Sequence, residues 1–148
     1  MIDAVTNLIL EMFRANNLTL VWGDRLVAPL GLTSARWQIL GAIVYAGRAE
    51  PVAWLARDLG ANRQNVQRIV NDLASEGLVA FEPNPHHKRA QLVVLTPKGR
   101  KVYEAAIGLY EPRIKSLTEG LALKDIETAR RVMAALRTKL EVATGNED

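Results

Sequence analysis

Five polar residues within a nine-residue window could do chemistry on a ligand: Arg63, Gln64, Gln67, Arg68 and Asn71. On a helical wheel of about 100° per residue, Val66, Ile69, Val70 and Leu73 fall on one narrow apolar stripe. Gln64, Gln67, Arg68, Asn71 and Ser75 fall opposite it, and Arg63 flanks the stripe. An ordinary solvated helix face carries Glu and Lys in i,i+4 pairs. This face carries arginine and side-chain amides, with no acid before Asp72, which lies off to one side. Arginine pairs with the guanine edge in the major groove of DNA, and asparagine or glutamine with adenine. The pattern points to double-stranded DNA as a partner. The plainer alternative, a polar amphipathic helix without a ligand, does not account for the basic segment that follows.

The surrounding elements must hold that face outward. A short apolar helix over 52–59 leads through Gly60 into the polar-faced helix, expected over about 62–76 with Asn62 as its N-cap. Gly77 stops it. Two β-prone runs, 78–82 and 91–95, flank a tip containing Pro85, His86, His87, Lys88 and Arg89. Pro83, Asn84 and Pro85 bias the chain to turn there. A helix-turn-helix followed by a basic hairpin is the layout of a winged helix-turn-helix. The expected class is mainly α with a small β-hairpin wing.

Upstream, 2–27 reads as one long helix, with Ile2, Val5, Leu8, Ile9, Met12 and Phe13 at helical spacing. Leu20, Val21, Trp22 and Leu26 make its second half too apolar all round to stand alone. Pro29 and Gly31 end it. Thr33 suits the N-cap of a helix over about 34–46 that turns Trp37, Leu40, Ile43 and Val44 inward, with Gly47 at its C-terminal cap, and Pro51 suits the first turn of the next helix. Downstream, Thr96 and Pro97 open a helix through Val102, Tyr103, Ala106 and Leu109. Pro112 should kink or break it, and Gly120 marks another break. A last helix over about 124–142 repeats Ile126, Ala129, Met133, Leu136 and Leu140 at spacings of three and four, a heptad seam that wants a partner within or between chains. Residues 144–148 read as frayed.

The 148 residues are 49% apolar and 24% charged, which suffices for a core. The net charge is only +3, but it is unevenly placed. Residues 52–101 carry eight bases against four acids, a net of +4, so the excess sits on the segment already singled out. Such a patch supplies sequence-independent DNA affinity by counter-ion release. No apolar run reaches the roughly 18 residues of a membrane helix, and no basic leader region opens the chain. The cytoplasm is the expected location, with no membrane partner. With no cysteine, thiol switches and thiolate metal sites are excluded.

These features together resemble the multiple-antibiotic-resistance regulator (MarR) family of bacterial transcription regulators. The resemblance rests on Leu32-Thr33 with Trp37 and Leu40, on LARDLGANRQNVQRIVNDLASEGLV, on the wing NPHHKRAQLVVLT, and on Gly99. It implies a homodimer whose terminal helices interlock, with 1–30 and 102–148 as the dimerisation region and 31–101 as the DNA-binding lobe. It implies Arg89 in the minor groove and Arg63, Gln64, Gln67 and Arg68 in the major groove, with Asn71 on the same face. Lys88, Lys98 and Arg100 would add phosphate affinity. The output expected is repression of a pseudo-palindromic operator. Many relatives bind small aromatic anions between the dimer layer and the DNA lobe. Trp22, Arg36 and Trp37, with Arg25, Tyr45 and Trp54, are the residues here that could line such an effector site.

One position departs from the pattern. The family's wing commonly carries an aspartate two residues before the tip arginine, and His87 stands there. His86 and His87 as metal ligands lack further partners, so no metal or cofactor is expected. Partial protonation below about pH 6.5 would strengthen phosphate contact, and an exposed pair without special role is the plainer reading. Scattered carboxylates such as Asp58 and Glu76 read as surface or capping groups. No catalytic constellation is recognisable. The competing function is a winged-helix protein-interaction module without DNA, against which the Gln/Arg/Asn face argues.

Overall fold

A computed structural model of the chain describes residues 1–145. Residues 146–148, part of the tail expected to fray, lie outside the described residues. Six helices and three short strands follow in the order α1 (Ile2–Val27), α2 (Ser34–Tyr45), β1 (Glu50–Pro51), α3 (Val52–Leu59), α4 (Arg63–Ser75), β2 (Val79–Glu82), β3 (Leu92–Leu95), α5 (Pro97–Leu117) and α6 (Leu123–Ala143), with a 3-10 turn at Ala28–Leu30. The chain divides into two compact units, 1–111 and 112–148.

In the first unit, α2, α3 and α4 surround one core. Leu26, Val27, Ile39, Leu40, Leu55, Val66, Val70, Leu73, Val79, Val93 and Ala106 are all buried there. The apolar stripe expected on α4 is the face it buries, with Ile69 at the margin. α1 meets α2 at close range. The Ser34 amide donates to Asp24 Oδ1 at 2.7 Å, and its hydroxyl donates to the Leu20 carbonyl at 2.7 Å. Thr33 caps α2 as expected, its hydroxyl accepting from the Arg36 amide.

The sheet has the order β1-β3-β2 and is antiparallel throughout. β2 and β3 form the expected hairpin, with Phe81 opposite Val93. β1 was not expected. Its two residues are too few to show any period, and its pairing with Val93 and Leu92 is a tertiary event. Pro51 therefore stands in β1, one residue ahead of α3, rather than in the first turn of that helix.

Pro112 does not end α5, which runs on to Leu117. The carbonyl that loses its donor belongs to Gly108, which is exposed and open to water, and no side chain there aggravates the clash with the proline ring. In the second unit α6 buries none of its residues, and Ile126 and Leu140 of its heptad seam are exposed. In the first unit the opening turns of α1 are equally bare: Ile2 is 82% exposed and Phe13 58%.

The C-terminal end of α4 is a Schellman turn. The Leu78 amide donates to the Leu73 carbonyl at 2.9 Å, and Gly77, at φ 73°, donates to Ala74. The Leu78 carbonyl then accepts from the Thr96 amide. Gly99 packs directly on that carbonyl: a Cβ at 99 would lie 1.9 Å from the Leu78 oxygen, a backbone atom that cannot swing aside. Gly99→Ala should therefore cost about 2–3 kcal/mol of stability through overpacking, read as a lower urea midpoint at unchanged m-value. An alanine variant as stable as the parent would contradict this packing.

Candidate nucleic-acid interface

Asn62 caps the recognition helix α4 from within. Its side-chain oxygen accepts from the amides of Gln64 (2.9 Å) and Asn65 (3.1 Å). At the other end, the Lys98 ammonium donates to the Glu76 carbonyl at 3.0 Å, and the Arg36 guanidinium pairs with the Glu76 carboxylate. Both ends are thus fixed, and the polar face stays clear. Arg63, Gln64, Arg68 and Asn71 are exposed and Gln67 is partly so. The Gln67 amide donates to Asn71 Oδ1 at 3.0 Å, which aligns two amide groups one turn apart and leaves the Asn71 NH2 pointing away from that bond.

The hairpin brings the wing to this face. A cleft of about 200 Å³ lies between α4 and the wing, and Arg63, Gln67, Asn71, Phe81, Arg89 and Gln91 line it, together with Val52 and Ala53 of α3. Two cations and three side-chain amides from α4 and the wing thus share one concavity. Gln64 and Arg68 stand outside the cleft on the exposed face of α4, and Lys88 and Arg100 are exposed. Lys98 is placed differently. Its ammonium sits at the C-terminal end of α4, about 20 Å along the helix from Asn62, where it complements the helix dipole.

A single residue closes the wing loop. Asn84 grips the loop across its base. Its side-chain amide donates to the Ala90 carbonyl at 2.9 Å, its side-chain oxygen accepts from the His86 amide at 3.0 Å, and its backbone carbonyl accepts from His87. Sequence reasoning took Asn84 only as a turn former. Its place just before Pro85 was the available signal. His86 and His87 are exposed, and among the described residues no cluster of His, Asp and Glu could hold a metal.

A model of the MarR family (MarR_2) matches residues 30–90. The multiple antibiotic resistance protein MarR of Escherichia coli (strain K12) is 33% identical over 113 residues, covering 71% of this chain and 76% of that protein. The chain belongs to the MarR family. An uncharacterised protein of Mycobacterium tuberculosis (strain ATCC 25618 / H37Rv) is 34% identical over 143 residues, 94% of this chain and 99% of that one. A crystal structure of a mutant E. coli MarR complexed with operator DNA superposes with a TM-score of 0.71 at 26% identity, covering 86% of this chain and 94% of that one. As a member of the MarR family of transcription regulators, the chain has the winged-helix DNA-binding fold, and among the described residues no helix is long and apolar enough to cross a membrane.

A second, larger cavity of about 580 Å³ opens between α2, the end of α3 and α5. Trp37, Tyr45, Asp58, Tyr103, Ile107 and Tyr110 line it. Trp37 and Tyr45 were expected at an effector site. Trp22 is not in the lining but meets Tyr110 edge-on at 6.0 Å, behind the Trp37–Tyr110 contact at 5.4 Å. Arg36 is not there: it is tied to Glu76 and, at 3.0 Å, to the Gly31 carbonyl. Trp54 lies instead under the Arg48 guanidinium, at 5.0 Å. Tyr103 and Tyr110, which sequence reasoning left as packing or unnamed, recur with Ile107 at helical spacing on α5. Burial, and then its hydrogen bond with Tyr45, raises the Tyr103 phenol above the usual range.

Behind Asp58 sits Glu50, only 8% exposed. Burial, then a hydrogen bond with Asp58 and repulsion from its charge, raises the Glu50 pKa above the ordinary glutamate range, while Arg48 and Arg57 oppose the rise. The folded chain thus binds this proton more tightly than the unfolded chain. The resulting stability is fully present below the ordinary glutamate range and is lost as pH rises through the raised value. Glu50→Gln should therefore gain stability relative to the parent as pH rises over that window, with a constant difference above it. Thermal melts of both proteins across acid to neutral pH check this, and parallel curves would contradict it. For the wing, Asn84→Ala should weaken operator binding by about 1 kcal/mol, and on an Arg89→Ala background it should add almost nothing. Fluorescence anisotropy on the four proteins decides the point, and fully additive losses would rule out Asn84 acting through Arg89.

Proposed function

We propose that this chain is a homodimeric transcription repressor that occupies a pseudo-palindromic operator and leaves it when a small molecule binds. The carrying observation is the convergence of Arg63, Gln67 and Asn71 of α4 with Arg89 of the wing on one cleft. A recognition helix in the major groove and an arginine tip in the minor groove is the division of labour that this convergence suits. Gln64 and Arg68, exposed on the same helix, read base edges beside it. Lys88 and Arg100 add phosphate contacts without sequence preference. The operator-bound E. coli relative supports the same docking.

The dimer is supported by what the single chain leaves bare. α1 has 26 residues and α6 has 21, and both expose large apolar side chains: Ile2, Phe13 and Leu18 on one, Leu123, Leu140 and Val142 on the other. Apolar stripes of that length call for a partner helix. In this reading 1–30 and 102–148 form the dimer layer, 31–101 forms the DNA lobe, and half-sites lie about one helical turn, roughly 34 Å, apart. The cavity lined by Trp37 and Tyr110 is the place for an effector. No part of the arrangement calls for an enzymatic step.

Selection of bound duplexes from a random pool should return a two-fold symmetric motif. On that motif Arg68→Ala should lose about 1–3 kcal/mol of affinity while binding to random duplex barely changes. Arg100→Ala should weaken both alike and flatten the salt dependence. Equal losses on cognate and random duplex for Arg68→Ala would remove its reading role. A protein that stays monomeric and selects no motif would end the proposal.

A further inference from the structure

We propose that the cavity between α2, α3 and α5 binds an organic cation, an amine or amidinium carried on a flat apolar body. The inference rests on the effector-release part of the reading above and names the chemistry that the site accepts. Its volume of about 580 Å³ suits a small molecule. Its walls are aromatic: Trp37, Tyr45, Tyr103 and Tyr110 all face it. Aromatic faces carry negative electrostatic potential and attract cations.

Among the described residues, the only charged one in the lining is Asp58. Among the described residues no lysine or arginine lines the cavity; Arg57, next to Asp58 in sequence, is exposed and outside the lining. Arg36 pairs with Glu76, and Arg48 covers the Trp54 ring and faces Glu50. Glu50, a buried carboxyl beside Asp58, adds a second acidic group on that side of the cavity, with Arg48 facing it at 3.9 Å. An aromatic anion entering here would meet the Asp58 carboxylate with no cation in the lining to offset it. A cation would meet the opposite.

The position also supplies a route to DNA. α3 is eight residues long, about 12 Å. Its last residues, Asp58 and Leu59, line the cavity, while its first, Val52 and Ala53, line the cleft that holds Arg63 and Arg89. A cation drawn to Asp58 therefore acts on the one helix common to both.

Three isosteric probes test the sign. Benzamidine, benzamide and benzoate differ in charge and little in shape. Titrated into the full chain and followed by Trp fluorescence, benzamidine should bind at least about tenfold more tightly than benzoate, with benzamide between them. Asp58→Asn, an exposed and conservative change, should bring benzamidine down to the affinity of benzamide. Gln38→Lys, which places a cation in the lining, should reverse the order. Benzoate matching benzamidine, an order unmoved by both variants, or no binding of any probe at millimolar concentration would each overturn the proposal. Anisotropy of the probe-free protein on its selected duplex is run alongside. DNA binding without the benzamidine preference sinks this inference alone, and the preference without DNA binding sinks the repressor reading alone.

Discussion

Leu78 is where the DNA-facing lobe is tied together. Its amide closes the last turn of α4 on Leu73, and its carbonyl receives the Thr96 amide at the start of α5. Around it, the Thr96 hydroxyl donates to the Gly77 carbonyl at 2.6 Å and accepts from the Gly99 amide, and Lys98 holds the Glu76 carbonyl. One residue therefore ties the end of α4 to the start of α5. A helix held only by its apolar stripe could still roll about its axis. A helix whose last carbonyls are bonded to another element cannot, and the direction in which Arg63, Gln67 and Asn71 point follows from that constraint.

Self-containment at the opposite end has a consequence for recognition. Asn62 satisfies two of the free amides of α4 from its own side chain, so the helix does not depend on DNA for its N-terminus. The wing follows the same logic. Asn84 closes its loop with three hydrogen bonds internal to the loop. Arg89 is thereby presented without an acidic neighbour at 87 that would offset its charge near phosphate. Fixing a loop by neutral amide bonds leaves the net positive field of the segment intact.

Much of this was legible in the residues, and the exceptions share a cause. α1, α3, α4 and the hairpin follow from the spacing of Val66, Val70 and Leu73, from caps such as Thr33 and Asn62, and from Gly77, because each is local chemistry. β1 was not legible, since two residues have no period and exist as a strand only through Val93 and Leu92. Pro112 did not break α5, which runs on to Leu117; the residue whose carbonyl it strips, Gly108, is exposed, so water can take the place of the lost donor. Arg36 beside Trp37 looked like an anion site, but adjacent residues on a helix point about 100° apart. Trp37 faces the cavity, and Arg36 reaches Glu76, 40 positions away. The aromatic cavity assembles α2, α3 and α5 from residues up to 73 positions apart, Trp37 to Tyr110, a closeness that no local pattern encodes.

The two concavities of the lobe differ in sign, and the difference has a physical use. The cleft beside the wing gathers Arg63 and Arg89 and attracts a polyanion. The cavity on the far end of α3 presents Asp58 and aromatic faces and repels one. Were both positive, phosphate would compete for the second site, and an anionic effector would be drawn to the DNA-binding surface as readily as to its own pocket. In the proposed reading, opposite signs would keep the two ligands from exchanging places. They also make the coupling between them a matter of geometry along α3 rather than of direct competition, because a ligand can shift the DNA equilibrium only through an element whose position affects both sites. α3 is such an element: its buried face, Val52, Leu55 and Ala56, packs in the same core as Val66 and Val70 of α4, so the two helices share one close-packed interior.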